Sequence, residues 1–395
     1  MDSLKIQHIK IEGIGGIINL ELDFKDGLNL ICGTNGIGKT TILECISHAF
    51  INKSTDQLKR NVNSEKGVCY INYKDQEVFK QMYYELTHFN PIGDKDYLSV
   101  LQRKSQNILV FNTKRSFSYM DLQNLSRDPE RGYYQSAGIA YTGVSAADIK
   151  NWFVQRFMWS AHKDILQEEQ FYNFEKAKEC FNILDERVLF SRVIPDTYDI
   201  MVNSQQGEVY FEYLSAGYKS CIYILLGIIK EIEFRFKNPY VKVTDFSGII
   251  LIDEIDVHLH PQWQKNLIIS LKKLLPNAQI IATTHSPSMV QCVEANEIIP
   301  LQFDENNNIF VKDFAVSKYG FQGWSIEEIL TDVMGMESVR SDIYNKTMRQ
   351  FDMALDNDDI DMAKQAYHEL DQMLHPNNPL RKLLEIQMIG VEEDD

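Results

Sequence analysis

The residues Gly33-Thr34-Asn35-Gly36-Ile37-Gly38-Lys39-Thr40-Thr41 fit the pattern G-x-x-x-x-G-K-[ST], and no other stretch of this 395-residue chain constrains its architecture as strongly. Leu28, Leu30 and Ile31 ahead of the run predict a buried strand. Ile42, Leu43, Ile46 and Ala49 behind it recur at helical spacing. A glycine-rich turn between strand and helix aims successive backbone N–H groups into one concavity, where the helix N-terminus adds partial positive charge. The run is therefore expected to bind a nucleoside triphosphate, with Lys39 reaching the β- and γ-phosphates and the Thr40 hydroxyl a Mg²⁺ ion. With strand and helix both in place, a chance glycine loop is the poorer explanation.

Three further motifs follow. Gly248 to Glu254 is an apolar strand ending in two acids. Asp253 is expected in the Mg²⁺ shell, and Glu254 as the general base that polarises the attacking water. Gln279 to Pro287 is a second apolar strand, ending in a polar turn that carries His285. A histidine at a strand end is commonly structural, but this third position invites a role in sensing the γ-phosphate or orienting water. Tyr213 to Lys219 precedes a long apolar helix; Ser215 is a natural N-cap, and Gly217 keeps the backbone bare. Two anion sites on one chain suggest a nucleotide sandwiched between two subunits, the plain alternative being an ordinary capped helix.

In this order the motifs resemble an ABC-type ATPase head of the class that includes SMC proteins, RecF-like repair ATPases and OLD-type nucleases. The match runs from about Leu4 to Val293. The stretch from Asp253 to Trp263, DEIDVHLHPQW, looks particularly like the ATPase subunits of Septu and retron antiphage systems. The resemblance implies an α/β fold: a RecA-like parallel core sheet, a flanking antiparallel sheet, a helical insertion lobe and a C-terminal helical unit. It implies ATP and Mg²⁺ as ligands, Lys39, Glu254 and His285 as catalytic residues, and Thr40 and Asp253 at the metal. Ser215 and Gly217 would contact the γ-phosphate held by an opposing subunit, with Asp256 to His260 lining the seam. His258 and His260 invite a metal reading, but two ligands one residue apart cannot complete a tetrahedral site unaided. The implied assembly is a homodimer or higher even-numbered oligomer. Its partner would be a separate nuclease of HNH or TOPRIM type, or a retron reverse transcriptase with its msDNA, and it would meet DNA only through the complex. A RecF-like repair ATPase that clamps DNA as an ATP-driven dimer is the alternative, and a non-hydrolysing nucleotide-dependent scaffold a third.

The spacing predicts two units. Residues 1–300 form the head, with antiparallel strands in 4–31 and 67–90 and a compact helical insertion at about 145–190. Trp152, Phe153, Phe157, Trp159 and Phe171 are its expected apolar anchors, a cluster that reads as core or alternatively as an interface. Sustained heptads, which a long-armed SMC protein requires, are absent. Residues 301–395 are expected to be mostly helical and to bind the partner or oligomerise. They open with the capping box Ser325–Glu328 and continue with helices near 341–355, 360–374 and 380–388. The apolar strands of a TOPRIM domain are missing there, so no nuclease site is expected. A net charge of −16 excludes coating nucleic acid by bulk electrostatics. The pairs Lys59-Arg60, Arg103-Lys104 and Lys114-Arg115 read as solvated loop charges, Arg115 alternatively lying near the nucleotide. Six cysteines without paired spacing, no apolar signal region and no membrane span predict a reduced, cytoplasmic protein.

Overall fold

A computed structural model describes residues 3–51, 58–90, 101–115, 118–162, 164–315 and 317–393. Strands β1 (Leu4–Ile14), β2 (Ile17–Asp23) and β3 (Leu28–Gly33) lead into helix α1 (Lys39–His48). Next come β4 (Gly67–Asp75), β5 (Val78–Leu86) and β6 (Ile108–Phe111), then α2 (Tyr133–Thr142), α3 (Ile149–Ser160) and α4 (Glu168–Ile183). Strands β7 (Leu189–Val193), β8 (Ile200–Ser204) and β9 (Gly207–Tyr210) precede the long helix α5 (Ala216–Arg235). The chain continues through β10 (Ile249–Ile252), α6 (Pro261–Leu274), β11 (Gln279–Thr284), α7 (Pro287–Cys292), β12 (Ile298–Phe303) and β13 (Ile309–Val311). It ends with the short α8 (Ile326–Glu328), then α9 (Asp342–Asp356), α10 (Ile360–Met373) and α11 (Pro379–Glu393).

The core sheet has the order β13-β12-β3-β11-β10-β6 and is parallel except for the β12–β13 hairpin. Strands β3, β6, β10 and β11 are buried along their whole length, which is why they read as unbroken apolar runs rather than as alternation. Their side chains still alternate between two cores. Ile249 and Leu251 of β10 pack with Ile42 and Ile46 of α1 and with the antiparallel sheet β2-β1-β4-β5. Ile250 and Ile252 face the opposite core, with Ile222, Leu226 and Ile229 of α5 and Leu267 of α6. The α/β architecture implied by the resemblance is thus present, including the antiparallel sheet expected from 4–31 and 67–90.

The segment expected to be a helical insertion, about 145–190, carries two helices and leads into strands. Helices α3 and α4 are followed by a small antiparallel sheet, β7-β8-β9, whose strands are too short to give a clear period-2 signal. Phe153 centres the lobe, with its ring 5.2 Å from Phe174 and 5.6 Å from Phe181. Trp152 and Phe153 are fully buried and Phe157 is partly so. Trp159 and Phe171 are 42% and 44% exposed, so they do not anchor the core.

The expected boundary at residue 300 falls inside β12, a strand of the core sheet. The first compact unit runs on to Gly335, because Phe321, Ile329, Val333 and Met334 complete the α5–α6 core. Residues 336–395 form the second unit. Helices α9, α10 and α11 surround Phe351, Ala363, Leu370, Leu384 and Met388. The third helix is longer than the expected 380–388.

Candidate active site

In a parallel sheet, ligands gather at the carboxyl ends of the strands. β3 ends at Gly33, where the phosphate-loop sequence begins; β10 ends at Ile252, delivering Asp253 and Glu254; β11 lies between them and delivers His285. Asn35, Gly36, Gly38, Lys39, Thr40, Thr41, Glu254 and His285 together line a cleft of about 530 Å³. Gly38 caps α1 with φ 95°, a left-handed conformation that a side chain there would strain.

Lys39 is 5% exposed, and its Nζ donates to the carbonyls of Gly33 and Thr34, both at 2.9 Å. Burial lowers its pKa to about 8, with Cys32, Asp253, Glu254 and Asp256 pulling the other way. The ammonium is therefore held inside the loop by the carbonyls that a phosphate's negative charge would replace. The Thr40 hydroxyl donates to the Asp253 carboxylate, 3.1 Å from each oxygen. Thr283 donates to Asp253 Oδ1 at 2.7 Å and accepts from the Glu254 backbone N–H at 2.6 Å, so one hydroxyl fixes both acids. Thr40 and Asp253 present hard oxygen donors within a single hydrogen bond of each other, a donor set that fits Mg²⁺.

Glu254 occupies φ 45°, unusual for a residue with a side chain. Its Oε1 lies 3.9 Å from His285 Nε2. Burial, and after it the charge of Lys39, lowers the His285 pKa, so the imidazole is neutral at neutral pH. Asp256 accepts from the Thr284 hydroxyl at 2.6 Å and from the His285 N–H at 3.2 Å, tying the turn after β10 to the turn after β11.

Ser215 and Gly217 do not line this cleft. Ser215 caps α5, accepting the Tyr218 N–H at 3.3 Å. Gly217 lies so close to the His258 carbonyl that a Cβ would collide with it. The start of α5 and the Asp256–His260 turn therefore touch within one chain. His260 is the N-cap of α6, accepting the Gln262 N–H at 3.4 Å. Among the described residues no group of three or more His, Cys, Asp or Glu side chains is placed to hold a metal.

Residues 8–194 match the family described as an AAA domain, which takes in Lys39 and Thr40 and stops short of Asp253. The Septu protein PtuA of Bacillus thuringiensis is 47% identical over 387 residues, 98% of this chain and 98% of that one. The chain belongs to the Septu PtuA family. The family is one of ATP-binding ATPases of antiviral defence. Over 100 residues the chain is also 37% identical to the Retron Ec83 probable ATPase of Escherichia coli, spanning 25% of this chain and 18% of that one. Among solved structures, the SMC head domain from Thermotoga maritima aligns with 79% of this chain and 100% of its own at 12% identity, with a TM-score of 0.44. No helix among the described residues is long and apolar enough to cross a membrane.

Beside the cleft lined by Lys39 lies a second cavity, of about 330 Å³, behind Thr40 and Asp253. Glu44, Ser47, Asn112 and Lys114 line it. Burial, and behind it the Asp253 carboxylate, pushes Glu44 up to about 7. Glu44 follows Thr40 by four residues on α1, so helical spacing alone could have placed both on one face. Asn112 had no such signal, because only the pairing of β6 with β10 carries it to the acids. The basic pairs also resolve: Lys104 Nζ lies 2.8 Å from Asp75, and Arg60 donates to the carbonyls of Thr87, Asn61 and Ser64. Arg115 is buried rather than solvated, and it donates to the Asp253 and Glu254 carbonyls beside the cleft.

Proposed function

We propose that this chain is the ATP-hydrolysing subunit of an antiphage defence complex, in which two heads close on two ATP–Mg²⁺ and thereby gate a separate nuclease or retron component. The observation that carries this is the convergence of Lys39, Thr40, Asp253, Glu254 and His285 at the ends of three adjacent strands. Lys39 and the phosphate-loop amides bind the phosphates. Thr40 and Asp253 would hold the Mg²⁺, which would supply charge neutralisation at the phosphates. Glu254 accepts the proton of the attacking water, and neutral His285 orients that water or senses the γ-phosphate. Ser215 and Gly217, outside the cleft of their own chain, complete the cleft of a second copy, with the His258 turn at the seam.

ATP turnover and light scattering on the wild type beside two variants test the reading. Lys39→Ala should lose ATP binding altogether. Glu254→Gln should lose hydrolysis yet still dimerise on ATP. Wild-type turnover in Glu254→Gln would sink the base assignment, and an ATP-loaded monomer would sink the shared site. The gating claim requires that the partner distinguish ATP-loaded from empty heads. Equal co-purification of a nuclease or reverse transcriptase with and without ATP would remove it. Salt-sensitive, ATP-dependent DNA binding by the bare dimer would favour a RecF-like clamp instead.

A further inference from the structure

Arg115 follows β6 and is 3% exposed. Its Nε donates to the Asn112 carbonyl at 3.0 Å. Its Nη2 donates to the Asp253 carbonyl and, at 3.0 Å, to that of Glu254. Nη1 is buried without a hydrogen-bond partner. Burial pushes the guanidinium below its usual range, while Tyr223, Asp253 and Asp256 act in the opposite sense. A cation bound, among the described residues, only by carbonyls and with one nitrogen unsatisfied is a poor device for stability. An apolar side chain of similar length would serve the core as well.

Its acceptors are more informative. They belong to the two residues at which the chain leaves β10, and Glu254 there holds φ 45°. That conformation persists only when the surroundings over-determine it. The Glu254 N–H is held by Thr283 at 2.6 Å, and its carbonyl by Arg115 and by the Val257 N–H at 2.9 Å. Without Arg115 the carbonyl would keep only the Val257 N–H, leaving the peptide freer to rotate and swing the carboxylate away from His285.

We infer that Arg115 is a positioning residue, clamping the Asp253 and Glu254 carbonyls so that the Glu254 carboxylate is aimed at the reacting centre. This rests on Glu254 being the base. The test uses the full chain carrying Arg115→Met, Arg115→Lys, Glu254→Gln, or Arg115→Met with Glu254→Gln, and reads single-turnover hydrolysis, fluorescent-ATP affinity and Tm. Arg115→Met should lower the hydrolysis rate about 10- to 100-fold, as small misplacements of a catalytic group do. ATP affinity should stay within about twofold, and Tm should hold or rise. Arg115→Lys should recover part of the rate. In the Glu254→Gln background the Arg115 change should cost nothing further, because the group it aims is gone. Additive losses in the double variant overturn the inference. So does a Tm loss that tracks the rate in both Arg115 variants, or an affinity loss that accounts for the rate. Wild-type turnover in Glu254→Gln alone removes the base assignment as well, and is recognised in that single variant.

Discussion

Glu44 is a carboxylate kept partly protonated near neutral pH by burial and by Asp253. Its folded value, about 7, stands above the ordinary 4.5, so between those two the native state binds more protons than the unfolded one. Stability then falls as pH rises through that window, and the full penalty remains above it. Glu44→Gln removes the penalty. Without Mg²⁺, its Tm relative to wild type should climb between about pH 5 and about pH 8. A constant difference across that range, measured by differential scanning fluorimetry, would rule out the raised value. Residues of this kind were half legible: the phosphate loop and the two acids stand out as patterns, since each has to be contiguous to work. Arg115, Asn112 and Thr283 are brought beside the acids only by strand order, which the local sequence does not carry.

Among elements, the fully buried strands were the most legible, because parallel strands covered on both faces leave long apolar runs. The insertion lobe was misjudged where amphipathic helices carry aromatic residues on both sides. Phe153 sits inside four ring contacts with Trp152, Phe174, Phe181 and Phe190, whereas Trp159 faces outward. Phe153→Ala should cost about 3–5 kcal/mol in chemical denaturation. Trp159→Ala should stay within about 0.5 kcal/mol, as exposed substitutions do. Equal costs would mean that Trp159 is covered in solution. The β12–β13 hairpin was missed as part of the head because Pro300 and the turn residues after Phe303 resemble the start of a linker. Its pairing with β3 could not be read from the local sequence.

At the scale of the molecule, two units have separate cores, and only the first contains the phosphate loop and the acids. A chain ending at Gly335 should therefore fold and keep its ATP affinity, measured with a fluorescent analogue, while losing whatever partner the helical unit retains. Loss of ATP binding on that truncation would show that the second unit supports the first. A further consequence follows from Ser215 and Gly217 standing apart from the cleft that holds Lys39 and Glu254. In the proposed two-headed assembly these residues would arrive with another molecule, so specific activity should rise with protein concentration and fade on dilution. A dilution series of the ATPase rate would show that dependence, and a specific activity independent of concentration would show that each head works alone.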